Sequence, residues 1–155
     1  MLLLLTSAFA AVACGYPTVS YDSPRAQPTE SDLVGKWASD SCYGLEDRFN
    51  DPIVGWPCSW SFDEDGTFAM THVPEWFLTE EWQEARNSGN GTWSIDRSSE
   101  DRWVVRLDFE SVNGQPGFFP RELDILGSQS PYSLLVFVGD ADAGFTILFQ
   151  RQPKS

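Results

Sequence analysis

Histidine is almost missing from this chain, with His72 as its only example. Any Ser-His-Asp or Cys-His machinery would have to be built around that one residue. Positive charge is scarce too: 10 Lys and Arg face 23 Asp and Glu, for a formal net charge of -13. A surface of this kind repels phosphate backbones, whose binding relies on cationic side chains displacing counterions, so nucleic acid is excluded as a partner. It also discourages unaided adsorption to anionic headgroups. The apolar run at residues 1–13 falls short of the ~20 residues that span a bilayer. No Gly-rich phosphate loop, zinc-type spacing or internal repeat is present, and no metal or cofactor is expected. Nor is a pair of carboxylates fixed for glycoside chemistry, since Glu75, Glu80, Glu81 and Glu84 read as a solvated helix face. The chain reads as non-enzymatic.

Aromatic residues, by contrast, are plentiful. Seven Trp and eleven Phe, within a composition that is 41% apolar, are far too many core formers for a disordered chain. The length of 155 residues suits one domain of ordinary size.

No charged residue precedes Asp22. Residues 1–13 read as the apolar core of a signal peptide, ending in Ala11-Val12-Ala13-Cys14-Gly15, which resembles the lipobox of bacterial lipoproteins. That resemblance implies a lipid on Cys14 and an extracytoplasmic protein anchored to the bacterial cell membrane, with this anchor as the sole membrane attachment. Two departures are plain: Ala11 stands where Leu is usual, and a positively charged n-region is missing. Secretion with Cys14 unmodified is the alternative, and a buried N-terminal strand a more distant one. Cysteine counting supports lipidation, because three Cys are an odd number for an oxidising compartment unless one is otherwise engaged. With Cys14 lipidated, Cys42 and Cys58 remain as a disulfide pair. Metal ligation by two Cys and the His lacks the local spacing.

Residues 14–31, with Pro17, Pro24 and Pro28 among polar residues, read as a flexible tether. From there the pattern is alternation of period two broken by turn residues. In the clearest case Trp103, Val105, Leu107 and Phe109 face one way while Val104, Arg106 and Asp108 face the other. Trp60 and Phe62 lead into an Asp63-Glu64-Asp65-Gly66 hairpin turn, and Phe68, Met70 and His72 return from it, all facing inward. Further strands are expected near 33–39, 91–95, 122–127, 132–138 and 144–150, making eight. Asp140-Ala141-Asp142-Ala143-Gly144 resembles a fragment of a calcium loop but lacks the bidentate Glu, so a hairpin turn is expected there. A short helical insertion is expected near 74–86, with Thr79 as N-cap and Trp76, Phe77 and Trp82 covering one barrel end. Eight strands linked by hairpins close most economically into an all-β, antiparallel up-and-down barrel over residues 32–152, since closure removes the edges.

Leu33-Val34-Gly35-Lys36-Trp37 resembles the Gly-x-Trp of the first strand of lipocalins and related calycin barrels. Asp65-Gly66-Thr67-Phe68, Gly91-Thr92-Trp93-Ser94-Ile95 and the stretch from Gly139-Asp140 to Phe149-Gln150-Arg151 resemble uncharacterised bacterial lipoproteins with lipocalin-like domains. The resemblance implies a Trp37 that packs across the barrel floor and a small apolar ligand in the barrel mouth. Trp37, Met70, His72, Trp93 and Trp103 are then the candidate ligand-binding residues. If Trp side chains fill the barrel instead, the expected role is that of a protein-interaction module of the cell envelope. The partner is thus a small hydrophobic ligand or an envelope protein, and a monomer is expected.

Overall fold

The computed structural model describes residues 22–42, 56–78, 86–137 and 146–153. Its elements are α1 (Glu30–Leu33), β1 (Gly35–Cys42), β2 (Trp56–Phe62), β3 (Thr67–Pro74), α2 (Glu75–Leu78), β4 (Arg86–Arg97), β5 (Trp103–Val112), β6 (Arg121–Leu126), β7 (Ser133–Phe137) and β8 (Thr146–Arg151). The eight strands pair antiparallel in sequence order, and β8 returns to β1 to close a barrel. The up-and-down barrel expected from alternation is the observed architecture.

Side-chain parity builds the core. In β2, Trp56, Cys58, Trp60 and Phe62 are buried, and Phe68 and Met70 of β3 lie opposite Phe62 and Trp60. The β2–β3 turn closes through Asp63 N–H to Thr67 O (2.9 Å) and Gly66 N–H to Asp63 O (3.1 Å), with Gly66 at φ 80° where a side chain would be strained. Asp65 Oδ1 caps the turn by accepting from Thr67 N–H (3.0 Å) and Thr67 Oγ1 (2.6 Å). Cys42 and Cys58 form a disulfide across β1 and β2. They stand 16 positions apart, and the loop closed in the unfolded chain makes this bond worth about 3 kcal/mol on a chain-entropy account.

Both ends of the barrel are stoppered. At one end α1 seats a buried Leu33, whose carbonyl accepts from Trp37 Nε1 (2.7 Å). Arg151 of β8 donates to the carbonyls of Asp32 and Val34 on either side of it. Thr29 N–H and Oγ1 both donate to Asp32 Oδ2 (2.9 and 2.6 Å), which fixes the first turn of α1. At the other end α2 buries Trp76, Phe77 and Leu78. Arg121 of β6 holds it by donating to the carbonyls of Phe77 (2.6 Å) and Leu78 (2.8 Å).

Two sequence expectations change, that for His72 and that for the tether, and β5 carries an irregularity beyond the stretch read from alternation. His72 does not continue inward from Met70: the β3–β4 register shifts between Met70 and Val73, and His72 adopts φ 58°. The extra residue hands the inward place to Val73 and leaves the imidazole exposed. The expected helical insertion is present as α2 over Glu75–Leu78, between Pro74 at the end of β3 and Arg86 at the start of β4; Thr79 and Trp82 lie outside the described residues. In β5 the pairs Gly91–Phe109 and Asn90–Ser111 leave Glu110 unopposed, so Val112 rather than Ser111 returns to the interior. Lastly, chain expected as tether is already held to the barrel at its described start. Gly127 N–H donates to Asp22 O (2.8 Å), Trp103 N–H donates to Ser23 Oγ (3.4 Å), and Pro24 and Pro28 are buried.

Candidate functional site

The residues proposed to contact a ligand divide into three settings. Trp37, Met70 and Trp93 are buried core residues. Trp93 packs at a tilt against Phe62 with ring centroids 5.3 Å apart, and its Nε1 donates to Asp63 O (3.1 Å), fastening the β2–β3 turn to β4. Trp103 is partly buried at the α1 end, with the Arg97 guanidinium 4.4 Å from its ring centroid. His72 is on the outside, where its carbonyl accepts from Trp56 Nε1 (2.7 Å). Trp37, Met70, Trp93 and Trp103 therefore share one interior, and His72 is separated from them. Cys14 lies outside the described residues, as does the Asp140–Gly144 turn.

Rings fill that interior. Trp60, 1% exposed, meets Phe68, Phe77 and Phe149 at centroid distances of 5.9, 5.5 and 6.2 Å. Phe68 in turn meets Phe109 edge-on at 5.3 Å. These spacings are those of aromatic pairs in direct contact. Space for Phe68 and Met70 exists because β4 carries glycines opposite them: a Cβ at Gly91 would stand 2.8 Å from the Phe68 ring, and one at Gly89 would stand 2.9 Å from the Met70 methyl. Trp60 Nε1 has no hydrogen-bond partner among the described residues. The nearby rings offer it at best weak acceptors.

Outside the barrel wall, Val104 of β5, Asp124 of β6 and Leu135 of β7 lie directly opposite one another and are buried, as is Leu126. Asp124 pairs with Arg102, which also reaches Glu100 at 2.8 Å. Burial pushes the Asp124 carboxyl above the usual carboxylate range, with Arg102 opposing the rise. Two acids shift the other way: the Thr29 hydroxyl lowers Asp32, and the Thr67 hydroxyl lowers Asp65. All three shifts arise in turns, caps and the wall. An open groove of about 370 Å³ lies between residues 27–30 and Ser94–Ile95 of β4. Its lining mixes one carboxylate, hydroxyls and an amide with Pro28 and Ile95, and no acid–base pair faces another across it. Among the described residues no group of three His, Cys, Asp or Glu side chains converges as metal ligands would.

Sequence reasoning overlooked the loop 113–120. Its Phe119 is the one large apolar side chain left exposed among the described residues, at 76%. The adjacent Phe118 packs edge-on against Phe109 at 6.4 Å. The signal was present in Pro116-Gly117-Phe118-Phe119-Pro120, because two neighbouring aromatics in a turn-rich link cannot both face inward.

The fold and its interior define an eight-stranded antiparallel barrel with ring-packed contents and a stopper at each end. Neither a family model, nor a curated protein, nor a solved structure matches the chain.

Proposed function

We propose that this chain is a cell-envelope lipoprotein, anchored through Cys14, whose barrel serves as a non-enzymatic protein-interaction module. The observation that carries this reading is the occupation of the barrel axis by Trp37, Trp60, Phe62, Phe68 and Phe149, all essentially inaccessible to solvent. Ligand carriers keep a pocket of several hundred cubic ångströms lined by apolar walls. Here the residues that would line it touch one another, and glycines in β4 make room for rings rather than for a guest. The lipobox-like Ala11-Val12-Ala13-Cys14 supports the anchor, and the Cys42–Cys58 disulfide suits an oxidising compartment outside the cytoplasm.

The test is native mass spectrometry of the protein isolated from its own cells, followed by tryptophan quenching with a panel of fatty acids and phospholipids. The expected mass is the polypeptide with its own acyl chains and nothing further, and no panel member should quench the buried tryptophans saturably. A stoichiometric apolar molecule retained in the barrel would replace this reading with ligand carriage.

A further inference from the structure

We propose that the loop 113–120 is the docking knob of this module, and that its partner is a protein presenting an apolar pocket for Phe119 rimmed by Lys and Arg. The inference rests on the interaction-module reading and adds to it the surface and the chemistry of the partner.

Phe119 is held out, not merely left out. Pro116 and Pro120 fix φ on either side of it. The neighbouring Phe118 is pinned to Phe109, and Arg121, directly after Pro120, is locked onto the carbonyls of α2. The hairpin start is braced as well: Asn113 N–H donates to Ser88 O (2.8 Å), Ser88 N–H donates to Asn113 Oδ1 (3.0 Å), and Asn113 Nδ2 donates to Asn87 Oδ1 (2.6 Å). A large ring on a preorganised loop loses little freedom on docking, which is how anchor residues gain affinity.

Charge specifies the partner. Asp108 and Glu110 flank Phe109 in β5, and Glu122 follows Arg121 in β6; all three side chains are exposed. The cation of this face, Arg106, lies opposite Glu122 and is paired with Asp108 at 3.3 Å. The two strands that carry the loop thus bear net negative charge on their exposed residues, and a cationic rim would complement it in both register and encounter rate. Its position is suitable too. The N-terminal chain reaches the barrel at the α1 end, beside Trp103 and Gly127, whereas the 113–120 loop lies at the α2 end. An anchor at Cys14 would thus join the barrel at the end opposite Phe119.

The experiment places a photoreactive benzoylphenylalanine at position 119, and separately at Ser99 on the opposite end, in the full-length protein in its own cells. From position 119 we expect one discrete adduct with an envelope protein, mapped to an apolar pocket edged by Lys or Arg. Its yield should fall at least about tenfold when Asp108→Lys and Glu110→Lys are added, while the melting temperature of the double variant stays near that of the parent. A lipid adduct, or a product of twice the chain's own mass, would overturn the proposal. An adduct that ignores charge reversal would do the same. A protein adduct from position 99 alone would sink this surface yet leave the module reading standing, and no adduct from either position would remove both.

Discussion

Single side chains show how little spare room this barrel has. A Cβ added at Gly91 would stand 2.1 Å from the Asp108 carbonyl oxygen as well as against the Phe68 ring, and the former is backbone that cannot swing aside. Gly91→Ala should cost about 3 kcal/mol, as overpacking does, read as a lower urea midpoint at unchanged slope; an unshifted midpoint would show that β4 has slack. Asp124 gives a signature in pH. Its carboxyl is raised by burial, so the folded chain holds that proton more tightly than the unfolded chain does. Its contribution is complete below the unfolded value near 3.8 and is lost as pH rises through the raised folded value. The parent should therefore gain stability relative to Asp124→Asn as pH is lowered from about 7 to about 4. Asp32 and Asp65, whose folded values are lowered, withdraw their contributions only below that window. A pH-independent gap between the two urea midpoints would contradict the assignment.

Among the elements, α2 carries an effect out of proportion to its four residues. Phe77 closes the ring stack against Trp60, so Phe77→Ala should cost about 3–5 kcal/mol and leave an apolar void under the stopper. Such voids stay dry and take up small aromatics. Benzene should consequently raise the melting temperature of Phe77→Ala and leave the parent unmoved, and a variant deaf to benzene would mean that the end collapses instead. The strands themselves were legible in the sequence, since Trp60, Phe62, Phe68, Val105 and Leu107 alternate as a half-buried sheet must. What escaped were the places where one residue too many is admitted. Nothing in Thr71-His72-Val73 or Phe109-Glu110-Ser111 announces a bulge, because the parity switch is set by the neighbouring strand's register rather than by local pattern. α2 forms where Phe77 and Leu78 find a core and Arg121 finds their carbonyls, partners that local sequence does not display; the expected Thr79 cap lies outside the described residues. The candidate site was readable only as a set of aromatics, since whether rings fill a space or line it depends on which of them meet across the barrel.

For the molecule as a whole, closure and address are separate properties. The barrel follows from alternation and the aromatic supply, and would form with or without a lipid. The proposed anchor would hang on Cys14 alone. Cys14→Ser should abolish palmitate labelling and shift the protein from the membrane fraction to the soluble one; labelling that persists would show that another residue carries the lipid. With the net charge of -13 carried by residues from Asp22 onward, the domain is expected to stay dispersed at low ionic strength.

The clasp at Asp22 and Ser23 has a mechanical consequence. Under the proposed anchoring at Cys14, the eight peptide steps to Asp22 could extend about 28 Å at most, so a pull on this leash would reach the clasp early. Tension on it arrives first at the bonds to Gly127 and Trp103, which sit side by side at the ends of β6 and β5 and would open one after the other like a zip. Only after they part does the load reach α1, where Arg151 ties the N-terminal stopper to the last strand. Under that anchoring, a pull on the N-terminal chain would therefore be spent on opening this clasp before it deforms the barrel wall.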